Sequence, residues 1–293
     1  MSTFEEPNYR RIDESFRETR FLPDTRIEIM QEVDLASPPL HVLFDFDGTL
    51  SLIREGWPEV MVPLMVEVLQ EIGTNESQDT LNALVYDFVM ELTGKQTIYQ
   101  MIRLAEEVKK RGGCPKHPSE YKEEYNFRLM EKIRSRRNDL ESGRALPEEM
   151  VVPGSFGLLD ALQEKGVNLY LASGTDENFV REEVDLLSLT PYFGKHIYGA
   201  VEDYTTFSKA QVIERILDVN AVDGSTLLGF GDGYVEIHNV KQVGGTAVAV
   251  ASDESGRSGK PDAWKRDRLI GVGADIVIPD FQEYGRILEY IWC

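Results

Sequence analysis

The chain has 293 residues, and its 31 basic and 51 acidic side chains give a formal net charge of −20. Binding to nucleic acid or to an anionic membrane surface is not expected, because both need clustered lysine and arginine. The length predicts two domains, or one domain with a large insertion, and a hydrophobic content of 42% is sufficient for a buried core.

Cysteine use and hydropathy indicate the compartment. The two cysteines, Cys114 and Cys293, cannot form a disulfide framework, which favours a reducing environment. The first 30 residues are charged and lack the apolar stretch of a secretory signal. No apolar run approaches the roughly 18 residues of a membrane span. We therefore expect a cytoplasmic protein.

The N-terminal segment, residues 1–39, is polar and charged and is predicted to be an arm laid on the body of the protein. Residues 9–20 are compatible with a helix, and the segment ends in a Ser37-Pro-Pro sequence. The pattern leaves open whether the arm covers a sheet, contacts another domain or binds a second subunit. The oligomeric state is open for the same reason.

The first strand follows the arm directly. Residues 40–44 form a short apolar run that stops at Asp45, and a turn sequence, Asp47-Gly48, comes next. Such a run bounded by turn residues predicts a buried strand.

The next hundred residues, 52–151, are charged and have helical periodicity. Few strand signals interrupt them. They are predicted to form an all-helical insertion, with helices near residues 60–72, 78–92, 98–111 and 119–138.

After Pro153, predicted strands and helices alternate along the chain. Helices are predicted at 156–165, 177–187 and 209–219, and strands at 167–172, 226–231, 246–251 and 275–278. Strands that alternate with helices predict an α/β fold with a doubly wound, Rossmann-like parallel sheet. The core domain would then comprise residues 40–51 and 152–293, and residues 52–151 would be a separate helical domain inserted into it.

Three predicted strands end in polar residues. Asp45, Asp47, Gly48 and Thr49 follow the first, Ser173 and Gly174 follow the second, and Asp232 follows the third. The carboxyl ends of parallel strands share one crevice, where ligands bind. Two unit charges about 4 Å apart repel by roughly 4 kcal/mol at an effective dielectric constant of 20, so clustered carboxylates need a cation. Oxygen ligands without nearby histidine or cysteine favour Mg²⁺.

These motifs resemble those of the haloacid dehalogenase-like hydrolase superfamily, in particular its phosphatase branch with a helical cap of the C1 type. Asp45-Phe-Asp47-Gly-Thr49 is similar to the first motif, Ser173 to the second, Lys209 at the start of a helix to the third, and Gly231-Asp232-Gly-Tyr-Val-Glu236 to the fourth. All four occur in the family order, and the insertion lies where the family places its cap.

The resemblance implies a role for each motif. Asp45 would be the nucleophile that forms an aspartyl-phosphate, and Asp47 the general acid and base. Gly48, Thr49, Ser173, Gly174 and Lys209 would bind phosphate. The metal ligands would be Asp45, the backbone carbonyl of Asp47, Asp232 and Glu236, the last directly or through water.

The sequence departs from the family pattern at one position, excludes one family reaction at another, and allows a second interpretation of two hydroxyl residues. Glu236 stands where many members have aspartate, and Asp47 argues against a dehalogenase, which lacks an acid at that position. Ser173 and Thr175 could also simply cap the helix that follows them. In the insertion, Arg54, Glu55, Trp57 and Lys95 are candidate substrate contacts.

We therefore expect an enzyme: a Mg²⁺-dependent phosphatase that hydrolyses a small phosphomonoester, such as a sugar phosphate, phosphoglycolate or a nucleotide. A phosphomutase or phosphotransferase of the same fold is the second hypothesis. A protein that binds a phosphorylated metabolite without turnover is the third.

Overall fold

The computed structural model describes residues 6–12, 19–33 and 38–292. Within them lies one eight-stranded sheet. Its strands are β1 (Arg20–Phe21), β2 (Glu28–Ile29), β3 (His41–Phe44), β4 (Asn168–Asp176), β5 (Ile197–Ala200), β6 (Leu227–Gly231), β7 (Thr246–Val250) and β8 (Ile276–Ile278). They lie in the order β1-β2-β8-β7-β6-β3-β4-β5. Strands β3 to β8 are parallel, which confirms the predicted α/β fold.

The helices of the described residues pack on the sheet or form the insertion. They are α1 (Pro58–Gln70), α2 (Gln78–Glu91), α3 (Thr97–Lys110), α4 (Pro118–Glu141), α5 (Ser155–Glu164), α6 (Glu177–Leu186), α7 (Thr190–Phe193), α8 (Lys209–Asn220), α9 (Tyr234–Gln242), α10 (Ala263–Gly271) and α11 (Tyr284–Ile291). No helix in these ranges is long and apolar enough to cross a membrane.

Side chains of the central strand β3 alternate between two buried clusters. Val42 and Phe44 belong to one cluster and Leu43 to the other. Successive side chains of a strand point to opposite faces, so a strand that is apolar throughout is covered on both sides. This is why residues 42–44 are all apolar.

The register of β3 fixes which strand ends meet. Phe44 pairs with Leu171 of β4 on one side and with Phe230 of β6 on the other. The residues that follow these three therefore lie at the same end of the sheet, the carboxyl ends of its parallel strands, as the sequence predicts.

Helices α1 to α4 lie between β3 and β4 in the chain, and their bounds agree with the predicted helices to within three residues. In α2, Leu81, Val85, Phe88 and Val89 are buried, the three- and four-residue spacing of an amphipathic helix. An antiparallel bridge between Ser51 and Val151 joins the two ends of the insertion.

The arm differs from its prediction. The stretch compatible with a helix, residues 9–20, lies partly outside the described residues, and its residues 9–12 and 19 are not helical. Ser37 also lies outside the described residues. The arm instead supplies β1 and β2, which extend the sheet beyond β8 in antiparallel fashion. Two strands of two residues each are too short for alternation to reveal them in the sequence.

Candidate active site

A cleft lies at the carboxyl ends of β3, β4 and β6, between the sheet and the helical insertion. Among the predicted site residues, the cleft is lined by Asp45, Asp47, Gly48, Ser173, Gly174, Lys209 and Asp232. All four candidates from the insertion, Arg54, Glu55, Trp57 and Lys95, line it as well. Thr49 and Glu236 are buried beside it but are not among its lining residues.

Asp45 is buried and tightly held. Its Oδ1 accepts a hydrogen bond of 2.8 Å from the Phe46 backbone N–H and lies 3.0 Å from Nζ of Lys209. Burial raises the pKa of Asp45, Lys209 counteracts the rise, and the nearby negative charge of Asp232 adds to it. The carboxylate therefore needs positive charge around it to stay ionised.

Asp47 has different neighbours. Its Oδ2 accepts hydrogen bonds from the hydroxyls of Thr175, at 2.8 Å, and Ser173, at 3.3 Å. Its Oδ1 is buried without a hydrogen-bond partner and lies 3.7 Å from Nε of Arg54. Burial raises the pKa of Asp47 to about 7, although Arg54 acts in the opposite direction. A carboxyl of that pKa is suited to proton transfer near neutral pH.

Arg54 is fixed by a second carboxylate. Its guanidinium donates to both oxygens of Glu183, at 3.0 and 2.8 Å, and the Glu183 side chain is fully buried. Burial acts to lower the pKa of Arg54, but Glu183 and Asp47 outweigh it and raise the pKa. The paired guanidinium therefore keeps its charge next to Asp47.

Asp232 is positioned by the Asp47-Gly48-Thr49 turn. The Asp232 backbone N–H donates to the Thr49 hydroxyl at 3.0 Å, and that hydroxyl contacts the Asp232 carboxylate at 3.3 Å. Gly48 has a φ of +76°, and a Cβ on it would lie 2.2 Å from Oδ2 of Asp232. Thr49 thus orients Asp232 instead of facing phosphate, and glycine at 48 leaves room for the carboxylate.

A lysine that the sequence analysis did not consider also holds Asp232. Nζ of Lys265, on α10, lies 2.8 Å from Oδ2 of Asp232 and 2.6 Å from Oε1 of Glu254. It also donates to the hydroxyl of Ser252 at 3.1 Å. Burial acts to lower the pKa of Lys265, but the two carboxylates outweigh it and raise the pKa.

Lys209 and Glu236 form a buried ion pair. Lys209 begins α8, where Ser208 caps the helix, and its side chain is 1% exposed. Glu236 lies in the first turn of α9 and packs against Gly231 and Gly233. Glu236 therefore contacts the lysine that contacts Asp45, while its carboxylate stays behind the cleft.

The donor set suits Mg²⁺ in its chemistry. Asp45 and Asp232 face the same cleft, and the negative charge of Asp232 raises the pKa of Asp45. A cation between the two carboxylates would relieve this repulsion, and oxygen ligands are those that Mg²⁺ prefers. Within the described ranges, no group of three or more histidine, cysteine, aspartate or glutamate side chains is arranged to hold a metal. The side-chain donors that the motifs place in the cleft are Asp45 and Asp232, and Asp232 is paired with Lys265.

The insertion closes over this site through residues 93–97. A Cβ on Gly174 would lie 2.7 Å from the backbone oxygen of Lys95, and a Cβ on Gly94, which has a φ of +100°, would lie 3.1 Å from Cα of Gly233. Nε2 of Gln96 donates to the backbone oxygens of Tyr204 and Phe207, at 3.2 and 2.8 Å. This loop of the insertion therefore rests directly on the core.

The family model of haloacid dehalogenase-like hydrolases matches residues 40–244, more than half of the chain. This chain belongs to that family. The match covers the four motifs and the helical insertion and leaves the arm outside it. A search of curated proteins gave no significant match.

Solved structures of this family share the fold. A predicted phosphatase from Clostridium acetobutylicum is similar at a TM-score of 0.55 and 18% identity, over 86% of this chain and 100% of that one. A predicted phosphoglycolate phosphatase from Haemophilus somnus gives 0.54 and 15%, over 86% and 99%. A β-phosphoglucomutase from Clostridium difficile gives 0.56 and 13%, over 86% and 97%. At these identities the similarity establishes the fold alone.

The sequence analysis considered Thr175 only as a helix cap and not as a hydroxyl donor to Asp47, and it did not consider Glu183, the partner of Arg54, or Lys265. Thr175 lies two residues after Ser173, a spacing that places both on one side of an extended strand, so its role was accessible. Glu183 and Lys265 have no local signal, because their partners lie 129 and 33 residues away.

Proposed function

We propose that this protein is a Mg²⁺-dependent phosphatase that hydrolyses a small phosphomonoester through an aspartyl-phosphate on Asp45. One observation carries the proposal: two carboxyls of different character share the cleft. Asp45 is held by Lys209, and Asp47 by the hydroxyls of Thr175 and Ser173. Lys209 favours the ionised form of the Asp45 nucleophile, whereas burial raises the pKa of Asp47 and favours its acid form, and this is the pairing that phosphoryl transfer to a carboxylate needs.

In the first half-reaction, Asp45 attacks phosphorus. Its Oδ1 is held by Phe46 and Lys209, so Oδ2 forms the new bond to phosphorus. The bond between phosphorus and the leaving oxygen breaks, and Asp47 gives its proton to that oxygen. Lys209 and Ser173 line the cleft where the phosphoryl oxygens gather charge, which they stabilise.

In the second half-reaction, Asp47 removes a proton from water, which attacks phosphorus. The bond between phosphorus and Asp45 breaks, and inorganic phosphate leaves. When bound, Mg²⁺ supplies positive charge to the phosphate oxygens. Asp45, Asp232 and the backbone carbonyl of Asp47 are the groups that would hold it.

The position of the cleft supports a small substrate. It lies between the sheet and the insertion, and residues of both line it, so a substrate would be bounded on two sides. Sugar phosphates, phosphoglycolate and nucleotides are the classes to test. Arg54, Glu55, Trp57 and Lys95 are positioned to contact the group that bears the phosphate.

The test is phosphate release from a panel of these metabolites with Mg²⁺ present and after its removal by EDTA. Asp45→Asn should abolish release, whereas Asp79→Asn, an exposed position in α2, should retain it. Full turnover by the Asp45→Asn variant would refute the assignment of Asp45 as the nucleophile. Phosphorus NMR that shows an isomerised sugar phosphate without free phosphate would favour a mutase. Thermal stabilisation by panel members without any release would favour a binding protein.

A further inference from the structure

The arm, which lies outside the family match, reaches the candidate active site. Residues 6–12, here called the arm segment, run along the core towards the insertion loop 93–97. Oε2 of Glu6 accepts a hydrogen bond of 3.0 Å from the Gln96 backbone N–H. Oδ1 of Asn8 accepts one of 2.8 Å from Nζ of Lys95, which lines the cleft.

Glu6 is buried among charges of the site. Its side chain is 3% exposed, and its Oε1 has no hydrogen-bond partner within the described part of the chain. Burial raises the pKa of Glu6, while the hydrogen bond from Gln96 and the positive charges of Lys209 and Lys95 act against the rise. A carboxyl is seldom buried without partners of this kind.

The rest of the arm segment is anchored to the core. The Tyr234 hydroxyl donates to the Pro7 carbonyl at 2.9 Å, and the Arg268 guanidinium lies 4.0 Å from the centre of the Tyr9 ring. Arg11 donates to both oxygens of Asp267, at 2.9 and 3.0 Å. The segment therefore joins α9 and α10 of the core to the loop of the insertion.

We propose that the arm segment is a third component of the active site, in which Glu6 and Asn8 are positioning residues for the loop 93–97. Asn8 fixes the ammonium of Lys95 in the cleft, and Glu6 fixes the backbone of Gln96 against the core. The contacts of Glu6 and Asn8 with the loop do not depend on the reaction that the enzyme catalyses, whereas their expected effect on the kinetics rests on the proposed phosphatase function.

Amide exchange of Gln96 measures the Glu6 contact directly. Glu6→Ala removes the acceptor, so the Gln96 amide should exchange at least about 10-fold faster, whereas Glu6→Gln keeps an acceptor oxygen and should retain most of the protection. Glu32→Gln, at an exposed position of the arm, is the control and should match the wild type. Unchanged exchange in Glu6→Ala would overturn the role of Glu6.

Labelling and kinetics measure the Asn8 contact. In Asn8→Ala, acetic anhydride should label Lys95 faster, as read by mass spectrometry. The KM for 4-nitrophenyl phosphate should rise about 10-fold with kcat changed less than about twofold. Asn8→Asp keeps an acceptor for the ammonium and should restore both values. Wild-type labelling and KM in Asn8→Ala would overturn the role of Asn8.

The two proposals fail separately. If the protein releases no phosphate from any substrate but still needs Glu6 to protect the Gln96 amide, the phosphatase proposal is refuted and the proposed role of the arm segment is retained. An active phosphatase that is indifferent to both Glu6→Ala and Asn8→Ala would do the reverse.

Discussion

The hydroxyl of Thr175 donates a hydrogen bond of 2.8 Å to Oδ2 of Asp47, across 128 residues of sequence. Thr175 is the penultimate residue of β4, and Asp47 lies beyond the end of the neighbouring strand β3. The two residues meet because these strands are parallel and in register. The contact gives the proposed acid and base a fixed orientation.

Removal of that hydroxyl should slow the reaction without unfolding the protein. Thr175→Val leaves the shape of the side chain but removes the donor, and a hydrogen bond to a charged group is worth about 1.5 to 3 kcal/mol, or roughly 10- to 100-fold in kcat/KM. Thr175→Ser should recover most of the loss. Thr190→Val removes a similar contact, to Asp185 at the surface, and should have no effect. Equal rates for the wild type and Thr175→Val would contradict the assignment.

The acid role of Asp47 predicts a dependence on the leaving group. Asp47→Asn should reduce the rate for an alkyl phosphate by about 10² to 10⁴, because the leaving alkoxide needs a proton. The loss should be much smaller in the first half-reaction of 4-nitrophenyl phosphate, whose leaving group departs without one. Burst kinetics with the two substrates separate the half-reactions. Equal losses for both leaving groups would contradict this role.

The Arg54–Glu183 pair should contribute strongly to stability. Arg54→Lys cannot make the bidentate contact. Because lysine keeps the charge and Glu183 also accepts a hydrogen bond of 3.2 Å from Arg137, the cost should be below the roughly 3 to 5 kcal/mol of a broken buried pair, at about 1 to 3 kcal/mol. Arg134→Lys changes an exposed pair with Glu131 and should alter the free energy of unfolding by less than about 1 kcal/mol. Urea unfolding monitored by circular dichroism compares the two. A similar small change in both variants would show that the buried pair adds little.

Gly48 should be required for its size as well as for its backbone conformation. Gly48→Ala and Gly73→Ala both place a side chain at positive φ, near +76° and +79°, at a cost of about 1 to 2 kcal/mol. Only at Gly48 would the new Cβ collide with Asp232, since nothing lies within 4 Å of the position at Gly73. Phosphate release should therefore be lost in Gly48→Ala and retained in Gly73→Ala. Activity in both variants would mean that Asp232 can move without consequence.

The attachment of the arm should weaken in acid. Burial acts to raise the pKa of Glu28 in β2, but hydrogen bonds from Arg266, at 2.6 and 2.5 Å, and from Thr19 outweigh it and lower the pKa below its ordinary 4.5. A carboxyl whose pKa is lower in the folded state stabilises that state above its unfolded pKa and loses the contribution as pH falls through the folded value. The stability difference between the wild type and Glu28→Gln should therefore be full at neutral pH and shrink below about pH 4.5.

Thermal unfolding across pH 3 to 7 measures this difference. Glu32→Gln is the matched control, because its carboxylate is exposed and its contact with Arg20 is long, at 3.4 Å. It should show no comparable change with pH. A Glu28→Gln difference that stays constant down to pH 3 would contradict the ion-pair explanation.

Lys209 joined the candidate site only through the family resemblance. The sequence by itself determined the parallel sheet, the four helices of the insertion and the convergence of Asp45, Asp47, Ser173 and Asp232 at the carboxyl ends of the strands. Each follows from a local signal: an apolar run of four or five residues, helical spacing, or a motif at the end of a strand. Parallel strands in register then bring distant residues together without further information, because their carboxyl ends share an edge.

Only the tertiary structure decided how those residues are held. Thr49 orients Asp232, Glu236 pairs with Lys209, Glu183 fixes Arg54, and Lys265 bridges Asp232 and Glu254. It also decided the arm, which supplies two short strands at the edge of the sheet and in which Glu6 and Asn8 contact the loop of the insertion. These partners are distant in the chain, and a single charged side chain looks the same in sequence whether it faces solvent or a buried opposite charge.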